Sequence, residues 1–213
     1  MGKTNEIKYS NLTSIYFTAK GFHNNYEYLK KKQVESKDKI AYDSTMPVAA
    51  TNGFFAIELY LKLIYSFDYW EKNERSKEEP SNLTQYPNGH NLKGLFEYID
   101  ENSKSEITKM LSSKISKDQL LANLEKYKDG FMDWRYFFEK GDIYGDYYFI
   151  SNTLEVLYSY CEIYMNHKSY TNENWKDDFS RTSVTMHQEP VSTMEELNAV
   201  LGKSLSEIIY DKE

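Results

Sequence analysis

The sequence contains few of the residues that interrupt helices or cross-link chains. Its 213 residues include four prolines, nine glycines and one cysteine. The single Cys161 excludes an intramolecular disulfide framework, and no His/Cys/Asp/Glu grouping has the spacing of metal ligands. Scarce proline and glycine, together with long stretches of helical periodicity, predict an all-α fold. We expect neither a metal nor a cofactor.

Long hydrophobic runs are missing as well. No stretch approaches the ~18 uninterrupted apolar residues that a membrane span needs, and residues 1–20 lack the apolar segment of a signal peptide. We therefore expect a cytoplasmic protein with no membrane partner. The sequence also lacks a glycine-rich phosphate loop and a Gly-x-Ser-x-Gly elbow, which argues against nucleotide hydrolysis and serine-hydrolase chemistry.

The charge is negative overall but unevenly distributed. The formal net charge is −7, and residues 170–213, with four basic and nine acidic side chains, contribute −5 of it. The remaining body is therefore near neutral, with locally basic stretches around residues 30–39 and 104–128. These stretches are either RNA-facing patches or ordinary solvated helix faces.

Apolar periodicity divides the chain into a helical body and a tail. The predicted helices span about 12–32, 47–70, 90–99 with a short extension to 111, 117–140 and 146–167. Residues 73–89 are predicted to form an exposed loop, because they are polar and contain two prolines and an Asn-Gly pair. We predict a helical bundle over 1–168, and a polar linker with a C-terminal amphipathic helix over 169–213. We interpret that last helix, about 192–209, as a docking or autoinhibitory element.

One narrow polar line crosses the otherwise apolar second helix. Thr51, Glu58, Lys62 and Ser66 fall on one side at helical spacing, between large apolar residues. Two interpretations of Glu58 and Lys62 are open. They form either a solvated i,i+4 salt bridge or a buried pair that lines a cleft, and the apolar flanks favour burial.

Three groups of residues follow one another in an order that is typical of a known superfamily. They are Asn52, Ala56-Ile57-Glu58-Leu59 and Leu61-Lys62, then Gly89-His90-Asn91-Leu92 and Leu95-Phe96, then Trp134-Arg135-Tyr136 before a further long helix. Over about 45–165 the chain thereby resembles the HEPN superfamily, and within it bacterial abortive-infection proteins with a Gly-His-x-Leu motif. The resemblance implies an up-and-down bundle of four to five helices, usually a homodimer, in antiviral defence or toxin–antitoxin systems.

The chain departs from the ribonuclease signature of that superfamily, an Arg followed after four to six residues by His. Its single match, Arg181 and His187, lies in the polar tail and is either a functional pair or a coincidence. A metal-independent ribonuclease needs a base, an acid and a cation. We therefore expect the catalytic candidates His90, Arg135, Lys62 and Glu58 to converge on one cleft.

Each of these candidates has a role and, for two of them, an ordinary structural alternative. Lys62, Arg135 and Tyr136 are the candidate RNA-binding residues, and Glu58 would orient one of the cations. His90 could instead cap its helix, and Arg135 could simply pair with Glu139.

Two function hypotheses follow. The chain is either a defence or toxin-type effector that cleaves RNA, or a noncatalytic HEPN-like module that binds a nucleotide, RNA or a protein partner such as an antitoxin. The resemblance, together with the aromatic content of the last two bundle helices, predicts a homodimer.

Overall fold

A computed structural model of the protein describes residues 7–10, 12–36, 39–73, 84–87, 89–139 and 145–171. The described segments form seven α-helices, one 3-10 helix and two short strands. The elements are β1 (Ile7–Ser10), α1 (Leu12–Glu35), α2 (Lys39–Asn73), β2 (Thr84–Pro87), α3 (Leu92–Tyr98), α4 (Glu101–Leu111), α5 (Lys117–Lys126), α6 (Gly130–Arg135), the 3-10 helix Phe137–Glu139 and α7 (Tyr147–Thr171).

These residues belong to one compact unit, Met1–Glu173, and a second unit spans Asn174–Glu213. The second unit lies outside the described residues. The predicted C-terminal helix over 192–209 and the Arg181/His187 pair therefore remain predictions, as does the division at residue 168.

The predicted helical class is confirmed, and the described part resembles a helical bundle. Helix α2 lies at its centre and packs against α1, α3, α6, α7 and β2. The central part of α2 is apolar on almost every side because neighbours surround it. Its fully buried side chains include Phe54, Ile57, Tyr60, Leu61, Leu63, Ile64 and Phe67.

A two-stranded antiparallel ribbon is the main departure from the predicted elements. β1 pairs with β2, with Ile7 opposite Pro87 and Ser10 opposite Thr84. Part of the segment predicted as an exposed loop is therefore β structure, and Pro87 is buried. The ribbon is hard to predict from the sequence, because each strand has only four residues and its partner is distant in the chain.

Helix α2 begins earlier than the sequence predicts. Pro47 was expected in its first turn, whereas the helix starts at Lys39 and contains Pro47 in its interior. Proline there removes one intrahelical hydrogen bond. The Thr51 hydroxyl donates to the Pro47 carbonyl oxygen at 2.7 Å, which adds a local contact at the first turn after the proline.

The predicted helix over 117–140 is interrupted. α5 ends at Lys126, a turn follows, and α6 begins at Gly130. A Cβ at Gly130 would lie 2.7 Å from the Phe54 ring, so the break lets the backbone approach α2 closely. This approach places Phe131 against Phe55 of α2.

Gly53 marks the closest approach of α2 to its neighbours. A Cβ there would lie 2.6 Å from Ile150 Cγ2 and 3.0 Å from the Tyr26 ring, both buried. We expect Gly53→Ala to lower the free energy of unfolding by about 1–3 kcal/mol in urea titration, because the core has no space for the methyl group. Gly21→Ala, on the exposed face of α1 with no atom within 4 Å, should instead raise it by about 0.5–1 kcal/mol. Similar effects at both positions would contradict this packing.

Candidate functional site

The polar line of α2 carries a buried ion pair. Lys62 Nζ donates to Glu58 Oε1 at 2.7 Å, and the two side chains are 9% and 1% exposed. The predicted burial of this pair is confirmed, and the alternative of a solvated surface bridge is wrong. Hydrogen bonds and an opposite charge offset the cost of burying such a carboxylate.

The loop before α3 delivers His90 to this carboxylate. Gly89 has a φ of 121°, a left-handed conformation that glycine adopts without steric cost. The Asn91 side chain accepts from Gly94 N at 2.8 Å and caps α3. Leu92 N donates to Lys128 O at 2.8 Å, which ties the helix start to the turn before α6. The capping role considered for His90 is therefore wrong, because Asn91 performs it.

His90 and Glu58 form a carboxylate–imidazole dyad. His90 Nδ1 lies 2.9 Å from Glu58 Oε2 and 3.0 Å from Oε1. An ionised carboxylate only accepts hydrogen bonds, so Nδ1 carries the proton and donates it. In the neutral ring Nε2 is then the nitrogen with the lone pair. The His90 side chain is 45% exposed, so this dyad joins a buried carboxylate to a solvent-accessible base.

Arg135 contacts the same aromatic ring as His90, that of Phe131. Its guanidinium carbon is 5.8 Å from the centre of the Phe131 ring and 5.3 Å from that of Tyr136. The His90 ring is 5.5 Å from the same Phe131 ring. Arg135 forms no ion pair with Glu139, although the structure describes both residues, so the ordinary alternative for Arg135 is not realised.

A cleft of about 320 Å³ opens at the dyad. Its lining residues come from α1, α2 and the loop before α3, and they are Ser14, Ile15, Thr18, Phe55, Glu58, Leu59, Lys62 and His90. Of the four predicted catalytic candidates, the structure therefore brings Glu58, Lys62 and His90 together in one cleft. Arg135 and Tyr136 are not among the lining residues.

Sequence reasoning missed the contribution of α1. Ser14 and Thr18 are one helical turn apart, and the Thr18 hydroxyl donates to the Ser14 carbonyl oxygen at 2.7 Å. The spacing of these two hydroxyl residues at i and i+4, beside the apolar stripe of α1, was the sequence pattern that could have placed them on one face of the helix. The aromatic residue Phe131 was also missed, because it was assigned only to the core.

The remaining chemistry in the described segments is limited. Burial raises the pKa of the Cys161 thiol, which keeps it protonated and unreactive. No group of three or more potential metal ligands occurs among the described residues. Within the same segments, no helix combines the length and apolarity that crossing a bilayer requires.

Comparisons with protein families, curated proteins and solved structures find no match to this chain. The resemblance to HEPN proteins therefore depends on the motifs quoted above.

Proposed function

We propose that the chain is a HEPN-like, metal-independent endoribonuclease whose active site is the cleft at Glu58, Lys62 and His90. One observation carries the proposal. A single buried carboxylate, Glu58, accepts from both the His90 imidazole and the Lys62 ammonium at the edge of an open cleft. Such a carboxylate orients the imidazole and stabilises the imidazolium that forms when the ring takes up a proton.

The reaction that fits this dyad is transesterification of an RNA phosphodiester. Nε2 of His90 removes the proton of a 2′-hydroxyl, and the 2′-oxygen attacks the adjacent phosphorus. The bond from phosphorus to the 5′-oxygen breaks, and that oxygen takes up a proton from the imidazolium or from water. The products are a 2′,3′-cyclic phosphate and a 5′-hydroxyl, and a nearby cation stabilises the charge on the phosphorane.

The biological setting of the proposal comes from the resemblance. RNA is the proposed substrate, and a homodimer is the proposed assembly. The proposed context is antiviral defence or a toxin role. An antitoxin or other protein partner would inhibit the activity. A site of this kind acting in the cytoplasm would have abundant RNA within reach.

A second candidate function is favoured by the apolar part of the cleft wall. Ile15, Phe55 and Leu59 line the cleft, and its volume is near the lower end of the range for small-molecule pockets. These features suit a noncatalytic HEPN-like module that binds a nucleotide, RNA or a protein partner.

The test is incubation of the purified full-length chain with total RNA in EDTA. We expect cleavage to persist, because the proposed chemistry uses no metal, and the fragments to carry 2′,3′-cyclic phosphate ends. His90→Ala protein purified in the same way should be inactive while melting within a few degrees of the wild type, which also controls for contaminating nucleases. Equal cleavage by both proteins, or none by the wild type, would exclude the ribonuclease and leave the binding module.

A further inference from the structure

We propose that Arg135, rather than Lys62, binds the phosphate group of the ligand, and that Phe131 is the positioning residue that holds Arg135 beside His90. The inference rests on the proposed function in taking RNA as the source of the phosphate. The two cations then have different roles, with Lys62 holding Glu58 and Arg135 binding the phosphate group.

Lys62 is poorly suited to meet a phosphate. Its ammonium group lies 2.7 Å from Glu58 Oε1, and both side chains are buried. An approaching phosphate would have to displace this carboxylate or stand beside its negative charge. Lys62 therefore acts on the ligand only indirectly, by holding the Glu58 carboxylate in place for His90.

Arg135 has the geometry that Lys62 lacks. It is exposed, and its guanidinium lies over the rings of Phe131 and Tyr136. Aromatic rings do not accept strong hydrogen bonds as a carboxylate would, so the N–H groups of Arg135 can donate to phosphate oxygens. Within the described part of the chain, no carboxylate forms an ion pair with Arg135.

Phe131 fixes the position of Arg135 relative to His90. Its side chain is 8% exposed and its ring stacks on Phe55, a cleft-wall residue, at 4.4 Å and 22°. Phe55 in turn meets the Phe22 ring edge-on at 4.6 Å. Because His90 and Arg135 both contact this anchored ring, they keep a constant relative position. A phosphate bound at Arg135 would thus stand beside the catalytic imidazole.

The first experiment observes the arginine side chains directly. The chain has only three arginines, Arg75, Arg135 and Arg181, so their Nε–H signals are readily separated in a heteronuclear NMR spectrum. Loss of one signal in Arg135→Gln assigns it. The full-length protein is titrated with inorganic phosphate, a short single-stranded RNA and a DNA of the same sequence. We expect the Arg135 signal to shift saturably with all three, most tightly with RNA, while the other two stay in place.

The second experiment compares matched variants by RNA affinity. Arg135→Gln should weaken binding by about tenfold or more, since it removes hydrogen bonds to a charged group. Lys72→Gln removes the same charge at the C-terminal end of α2, where Lys72 pairs with Asp100, and should change binding by less than about twofold. Phe131→Leu should approach the loss seen in Arg135→Gln, and Phe131→Tyr should restore binding. The double variant Glu58→Gln/Lys62→Met should slow cleavage as much as Glu58→Gln alone but weaken binding by less than about threefold.

The outcomes separate this inference from the proposed function. If Lys62 binds the phosphate, Glu58→Gln/Lys62→Met should lose RNA binding and Arg135→Gln should keep it. That result overturns the inference, even if the wild type shows His90-dependent cleavage. An Arg135 signal unmoved by every probe overturns it as well. A third outcome is that the Arg135 signal shifts and Arg135→Gln loses RNA binding, but the wild-type protein does not cleave RNA. The phosphate site is then supported and the ribonuclease proposal fails.

Discussion

Lys62→Met is expected to lower the free energy of unfolding by about 3–5 kcal/mol, because it leaves the buried Glu58 carboxylate without its ammonium partner. Methionine nearly preserves the volume of the side chain, so the effect reports the lost charge rather than a cavity. His90 would remain as the only other side chain that donates a hydrogen bond to Glu58 in the described structure. Urea unfolding followed by circular dichroism measures the change.

The chain contains a matched control for this substitution. Lys31 and Glu35 on α1 have the same i,i+4 spacing, but their closest distance is 3.8 Å and their side chains are 75% and 51% exposed. Lys31→Met should therefore change stability by less than about 0.5 kcal/mol. If the two substitutions have equal effects, the pair in α2 is not energetically buried, and the account of the dyad is wrong.

Glu58→Gln is expected to slow RNA cleavage by about 10²–10⁴-fold, the range associated with a positioned general base. The amide keeps the shape of the carboxylate but cannot stabilise an imidazolium on His90. It also leaves the buried Lys62 ammonium without a carboxylate partner, so this single variant should lose stability along with activity. The loss of activity is separated from the loss of stability by measuring single-turnover cleavage at a temperature where circular dichroism shows that the variant is folded.

The double variant Glu58→Gln/Lys62→Met completes a double-mutant cycle with the two single variants. Removing both charges should recover much of the stability lost in either single variant, because no unpaired buried charge remains. Cleavage should stay as slow as in Glu58→Gln. Glu97→Gln, which removes an exposed carboxylate from α3, should leave both properties unchanged. A double variant that cleaves RNA at the wild-type rate would remove Glu58 from the mechanism.

The helical class and the buried pair could be predicted from the sequence because both depend on local periodicity. The apolar residues around Glu58 and Lys62 leave α2 little room for a water-facing side, so their spacing favours burial of the pair over a solvated bridge. The resemblance to HEPN proteins added His90 and Arg135 as candidates. The bundle topology and the dimer that it implies stay predictions.

The contact between His90 and Glu58 could not be read from periodicity. It depends on the left-handed conformation of Gly89, the cap made by Asn91 and the tie from Leu92 to Lys128, and two of these three are tertiary or conformational choices. The interruption before Gly130 was missed for a similar reason. Apolar residues continue at helical spacing across the turn, while the close approach to Phe54 that requires the break is a long-range contact.

The ribbon of β1 and β2 has a consequence for when the protein can act during its own synthesis. Both α1 and α2 lie between the paired strands, so the ribbon closes a long loop and should form after the local contacts of the two helices. The loop that carries His90 starts just after β2 and is held on its other side by Lys128. A nascent chain that has not yet emerged from the ribosome as far as Lys128 thus lacks the hydrogen bond that ties the start of α3, and with it the His90 loop, to the rest of the body. If the cleft cleaves RNA, the ribosome that makes the protein is spared until most of the body has been translated.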